Sequence, residues 1–336
     1  WPEDREAMLG WFNLHLKGMG AGTPVKEIPF NILPNEQLMV YPKGKRDAEV
    51  LSTAEFCKQR GNELRTLFLH TKSFNAKVKR NELKNILKIN EESILKKEYE
   101  YSDVNGWRRF ALETSDDKLI PVLLHAPQGN SKQFMIVNDP DGKENISSEL
   151  IEGLVKSGSG IAVVDLSGTG ETSSALLYSN DTIGKLRTLS KSYLWLGKTA
   201  MGEWVKELNI VTGFINSKYR SAKVSITGNK EAGLAGLYLA AVEGNIESVT
   251  LQNAPVSYLF DNRESVEFFS TGIHLPGFLN WGDVSLAAAL SGKSITFINP
   301  VTMSGEKISE DKLKAYKAEF EQIRRISKEA GKTVFN

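Results

Sequence analysis

Apolar residues along this chain change their period several times, and each change marks an element. Between Asp4 and Lys17 the positions Met8, Trp11, Phe12 and Leu16 fall on one helical stripe. Gly18, Gly20, Gly22 and Pro24 then break the chain, and Pro29 and Pro34 keep the next stretch extended. Helical, charged sequence follows from about residue 53 to 97. Beyond it the period falls to two. Residues 99–104, 108–113 and 120–125 read as strands around turn signals at Asn105-Gly106 and Asp116-Asp117, an antiparallel entry to a sheet. Strands and helices then alternate. A strand over 134–138 leads to a helix capped by Ser147, and a strand over 161–166 to a long helix bearing Met201, Trp204, Val205, Leu208, Val211 and Ile215. Strand 224–227, helix 232–242 and strand 248–252 follow, and strand 294–299 precedes a helix over 309–330 with Leu313, Tyr316, Phe320 and Ile323 at helical spacing. This alternation predicts an α/β fold, a mostly parallel sheet flanked by helices on both faces. No internal repeat or low-complexity segment interrupts it.

Composition narrows the function. The 336 residues carry a formal net charge of +1, so no overall field draws the chain to nucleic acid or an anionic membrane. The Lys-rich stretch 72–97 is interspersed with Glu82, Glu91 and Glu92 and reads as a solvated helix face. The single cysteine, Cys57, excludes an internal disulfide and a multi-cysteine metal site. His15, His70, His125 and His274 show no metal-ligand spacing, so neither metal nor cofactor is expected. No apolar run approaches the ~20 residues of a membrane span. The first residue is Trp1 and nothing after it resembles a signal peptide, so the chain reads as a processed product or a piece of something longer.

The chemistry concentrates at residues 224–233. A β-branched run ends in Gly228, small residues Ala232 and Gly233 follow, and an apolar helical segment comes next. That is the layout of a nucleophile elbow, the strand–turn–helix on which α/β-hydrolases hold a catalytic serine. Aligned on Gly228, with Asn229 before it, the nucleophile position carries Lys230, which has no hydroxyl to acylate. A second glycine-rich loop, Asp165 to Thr172, also follows an apolar strand. It lacks the third glycine of a dinucleotide fingerprint, Ser173 standing there, and no obvious helix follows before Leu186. It resembles instead the Asp-x-Arg-Gly-x-Gly segment of α/β-hydrolases, with Ser167 at the arginine position.

Together these two loops and the stretches 274–279 and 297–301 resemble the acetyl xylan esterase-like branch of the α/β-hydrolase family. Residues 5–17 are similar to that family's closing helix, which follows the catalytic histidine. The resemblance implies a hydrolase-like domain over 98–336, a connecting segment over 31–97, extended then helical, and residues 1–30 as the closing helix and linker of a preceding module. It places an oxyanion loop at Asp139, Asp141 and Gly142, which read equally as a β-turn. A register shifted by one would put Glu231 at the nucleophile position. The acid is expected just past residue 299, where Pro300, Val301, Thr302 and Met303 stand, with no carboxylate until Glu306. No histidine follows His274, which is a loop histidine or a displaced base. Trp195, Trp204 and Trp281 are expected to pack in the core or at its edge, an aromatic platform for a sugar being the other reading.

Three functions remain. The first is a catalytically degenerate C-terminal module of a carbohydrate-related esterase-like protein, supporting an upstream domain of the same polypeptide. The second is an active carboxylic-ester hydrolase, such as a carbohydrate deacetylase, with displaced catalytic residues. The third is a small-molecule or nucleotide-binding domain using the loop from Gly168 to Gly170. The expected partners are the upstream domain and carbohydrate, with no nucleic acid and no membrane span, and the resemblance implies an exported, periplasmic or extracellular setting.

Overall fold

A computed structural model describes residues 1–29, 31–41, 49–173, 182–260 and 267–336. The chain divides into two compact units, Trp1–Ser52 and Thr53–Asn336.

In the smaller unit, helix α1 (Pro2–Lys17) begins at a proline and ends at Gly18, whose φ of 65° closes the last turn. The chain after it lies back along the helix. A Cβ on Gly10 would meet Thr23 O at 1.9 Å, and Val25 N–H donates to Glu6 O at 3.0 Å. The Met8, Trp11, Phe12 and Leu16 stripe stays exposed. Among its described residues a single turn, α2 (Asn35–Leu38), is the other helical element.

The larger unit opens with α3 (Thr53–Leu69) and α4 (Ala76–Leu87). Leu83 and Leu87 of α4 are fully buried. Arg80 donates to Ala241 O, Leu290 O and Glu329 Oε1, while Arg65 of α3 donates to Ser257 Oγ and pairs with the buried Glu319. The charged stretch is therefore solvated on one face and anchored on the other.

Among the described residues the sheet has nine strands in the order β1-β2-β3-β5-β4-β6-β7-β8-β9. Strands β1 (Leu95–Val104), β2 (Trp107–Thr114) and β3 (Leu119–His125) are antiparallel, turning at Asn105-Gly106 and Asp116-Asp117 where positive φ is tolerated. From β5 onward every pair is parallel: β4 (Gln133–Asn138), β5 (Gly160–Val164), β6 (Lys223–Asn229), β7 (Ser248–Gln252), β8 (Ser294–Ile298) and β9 (Lys332–Phe335). Helices cover both faces. Val137, Ile161 and Val163 face α5 (Ser148–Lys156), which Ser147 caps. The alternate residues Ile136, Ala162, Val164 and Ile226 face a larger core shared with α7 (Ala200–Lys218), α8 (Lys230–Glu243), α10 (Val284–Leu290) and α11 (Glu310–Ser327).

Several elements depart from the sequence reading. Helix α6 (Thr182–Trp195) precedes α7 as a separate element, where no helix was expected before Leu186. It carries Trp195 out to 85% exposure, so this tryptophan is not core, whereas Trp204 and Trp281 are buried. Short α9 (Phe278–Trp281) and α10 fill a stretch without helical periodicity, because α10 is buried all round. Strand β9 follows α11, which ends at Ser327 rather than 330. No helix among the described residues is long and apolar enough to cross a membrane.

Candidate functional site

The strand β6 ends at Asn229, and α8 starts at Lys230. The turn between them closes only on small residues. A Cβ on Gly228 would lie 2.6 Å from Gly233 Cα, and one on Gly233 would lie 2.6 Å from Gly228 O. Asn138 at the end of β4 locks the far side by donating to Ala232 O at 3.1 Å. Lys230 has φ 46°, a left-handed conformation that costs a residue with a side chain about 1–2 kcal/mol. The strain thus falls on the one residue at the tip of the turn between strand and helix. Its ammonium lies over the Phe268 ring, 4.7 Å from the centroid.

Glu231, the next residue, is buried beside it. Oε1 accepts from Ser270 N–H at 2.9 Å, and Oε2 has no partner. Burial pushes its pKa up to about 7, against the Ser270 bonds and the Lys230 charge, which lower it. Lys230, Glu231 and Ser270 share a cavity of about 10 Å³ with Asp141 and Phe268, room for one water-sized group. His274, exposed after a 3₁₀ turn, is outside that lining.

A raised folded pKa means that the folded state holds the Glu231 proton more tightly than the unfolded chain. Its contribution to stability is therefore full below about pH 4.5 and is lost progressively as pH rises toward 7. Glu231→Gln should remove that loss, leaving the variant about equal to the parent at pH 4 and more stable by about 2–3 kcal/mol at pH 8. Urea unfolding at the two pH values reads this directly, and identical pH dependence in both proteins would refute it.

The loops after β4 and β5 close the other side. Asp139 and Gly142 bracket a β-turn, Gly142 N–H donating to Asp139 O at 3.0 Å. The Asp139 carboxylate accepts from Asp141 N–H and Asn229 Nδ2, and burial raises its pKa. Asp165 is fully buried and accepts from the backbone N–H groups of Lys143 and Glu171. The space beside the loop glycines is filled by protein: a Cβ on Gly170 would meet the Asp165 carboxylate, and one on Gly168 would meet Leu186. A phosphate cradle needs that space and open N–H groups, so the nucleotide reading of this loop does not fit its geometry. At the arginine position, Ser167 pins the loop by another route. Its N–H and hydroxyl donate to the buried Glu207, and its carbonyl accepts from Trp204 Nε1 at 2.9 Å. That partner, 40 residues away in sequence, carried no local signal.

No family model matches the chain, and no curated protein matches its sequence. Solved structures share its architecture. A Bacteroides fragilis NCTC 9343 protein assigned as an acetyl xylan esterase superposes with a TM-score of 0.60 at 15% identity, over 87% of this chain and 84% of its own. The two chains share one fold, a mostly parallel sheet flanked by helices on both faces. The acetyl xylan esterase of Paenibacillus sp. R4 aligns at TM-score 0.48 and 11% identity over 82% of this chain and 92% of its own. Acetyl xylan esterase 1 of Thermoanaerobacterium sp. JW/SL YS485 aligns at 0.45 and 14% over 82% and 91%.

In an α/β-hydrolase the acid and the histidine stand on late loops at the carboxyl edge of the sheet. Here the loop after β8 runs through Asn299, at φ 49°, into a tight turn in which Val301 N–H donates to Ala254 O and Thr302 N–H to Glu306 O. Residues 299–303 contain no carboxylate.

Proposed function

We propose that this chain is a catalytically degenerate α/β-hydrolase module of a carbohydrate-related, acetyl xylan esterase-like protein. Its role is to support an upstream module of the same polypeptide. The observation that carries this reading is Lys230 at the strained elbow tip. A lysine there would form a stable amide instead of a labile ester, so it cannot turn over as a serine does. The absence of a carboxylate at residues 299–303 supports the same reading.

The chain alone should hydrolyse a chromogenic acetate ester no faster than heat-denatured protein. Lys230→Ser should not rescue it. A serine hydroxyl needs a base, worth about 10²–10⁴-fold, and the base needs an acid to orient it. Turnover by the parent chain that is lost in Glu231→Gln or His274→Ala would instead establish an active ester hydrolase with displaced residues.

A further inference from the structure

A second, more polar cavity lies behind the elbow. The chain leaves β4 through α5 toward β5, while β6 flanks β4 on the other side. The crevice between β4 and β6 is thus the topological switch point of the parallel sheet, where open α/β sheets take ligands beyond the carboxyl ends of their strands. About 130 Å³ is open there.

Its walls differ. Val137, Ile146 and Leu150, which pack together, form the apolar part of the lining, and Asn229, Gln252 and Asn253 bring carboxamides to it. These are oriented as a chain: Asn253 Nδ2 donates to Asn229 Oδ1 at 2.9 Å, and Asn229 Nδ2 donates to Asp139 Oδ2 at 2.9 Å. Both Asp139 oxygens are thereby used, one by Asn229 and one by Asp141 N–H. The Gln252 carboxamide has no side-chain partner among the described residues, and the Ser147 hydroxyl, which accepts from Leu150 N–H, still has a proton to give.

We propose that this crevice binds a small neutral polyol, a single sugar ring, with its C–H face on Val137, Ile146 and Leu150 and its hydroxyls on Gln252, Asn253 and Ser147. An anionic ligand fits less well, because the ionisable side chain in the lining is the Asp139 carboxylate. A purely apolar one would leave the carboxamides unpaired. Each sugar hydroxyl both donates and accepts, which matches side chains that do the same. The site is separate from the one-water cavity at Lys230, and it does not depend on whether the elbow is degenerate.

The test is titration of the isotope-labelled full chain with glycerol, a pentose and a hexose, and with sodium acetate as the charged control, followed by backbone amide shifts. The sugars should move the amides of Ser147, Asn229, Gln252 and Asn253 saturably, and acetate should not. Gln252→Leu and Asn253→Leu should each weaken the response at least tenfold, while Lys230→Ala leaves it unchanged. Gln252 is half-exposed, so its variant keeps the test valid if Asn253→Leu fails to fold. Absence of saturable shifts, equal binding by Gln252→Leu, or loss of binding in Lys230→Ala would overturn the assignment.

Discussion

Trp204→Ala should lower the thermal midpoint of the chain by on the order of 10 °C. The side chain is fully buried in the main core, among the largest that are. Truncating a buried tryptophan costs about 3–5 kcal/mol, through lost transfer energy and an unfilled cavity. A second loss adds to it, since Trp204 Nε1 satisfies Ser167 O in the loop after β5. For a domain of this size each kcal/mol corresponds to roughly 2–4 °C. Trp204→Phe should fall between the two, keeping most of the volume and losing the hydrogen bond. A calorimetric midpoint within 2 °C of the parent (about 1 kcal/mol) for the alanine variant would show that α7 is not packed as described.

Gly228→Val should be more damaging still and should leave little soluble protein. Its Cβ would lie 2.4 Å from Asn138 Oδ1 and 2.6 Å from the Gly233 backbone. The second contact is with main chain, which cannot rotate away, so the elbow must open and draw α8 off the sheet. Overpacking alone costs about 1–3 kcal/mol where side chains can yield, and here they cannot. Gly153→Ala in α5 is the matched control. Its added methyl meets nothing within 4 Å, so the helix should gain about 0.5–1 kcal/mol. Soluble expression and urea midpoints of the two variants give opposite signs if the glycines act as described.

How much of this was legible beforehand depends on how local the cause was. The tight strand–turn–helix at residues 228–233 was legible because a β-branched run, two glycines and an apolar helix lie within twenty residues. Ser147 was readable as a cap for the same reason, and so were the two hairpin turns. Helix α10 was not, because burial on every side removes the periodicity that marks a helix on a surface. Strand β9 is four residues long and is a strand only because β8 lies beside it. The Ser167–Glu207 contact and the Asn253–Asn229–Asp139 chain join residues from different elements, and no spacing rule reaches across them. The exposed position of Trp195 follows from where α6 stops, which composition does not set.

The anchoring of α3 and α4 bears on the order in which this chain can assemble during synthesis. Arg65 is held by Glu319 and Arg80 by Glu329, partners 254 and 249 residues further along. At roughly 5–20 residues per second, the ribosome delivers those partners tens of seconds after the arginines emerge. Throughout that interval Leu83 and Leu87 have no completed core to enter. The first two helices of the larger unit are therefore fully fastened only once α11 is made, and a nascent chain stalled before it would leave Arg65 and Arg80 without these carboxylates.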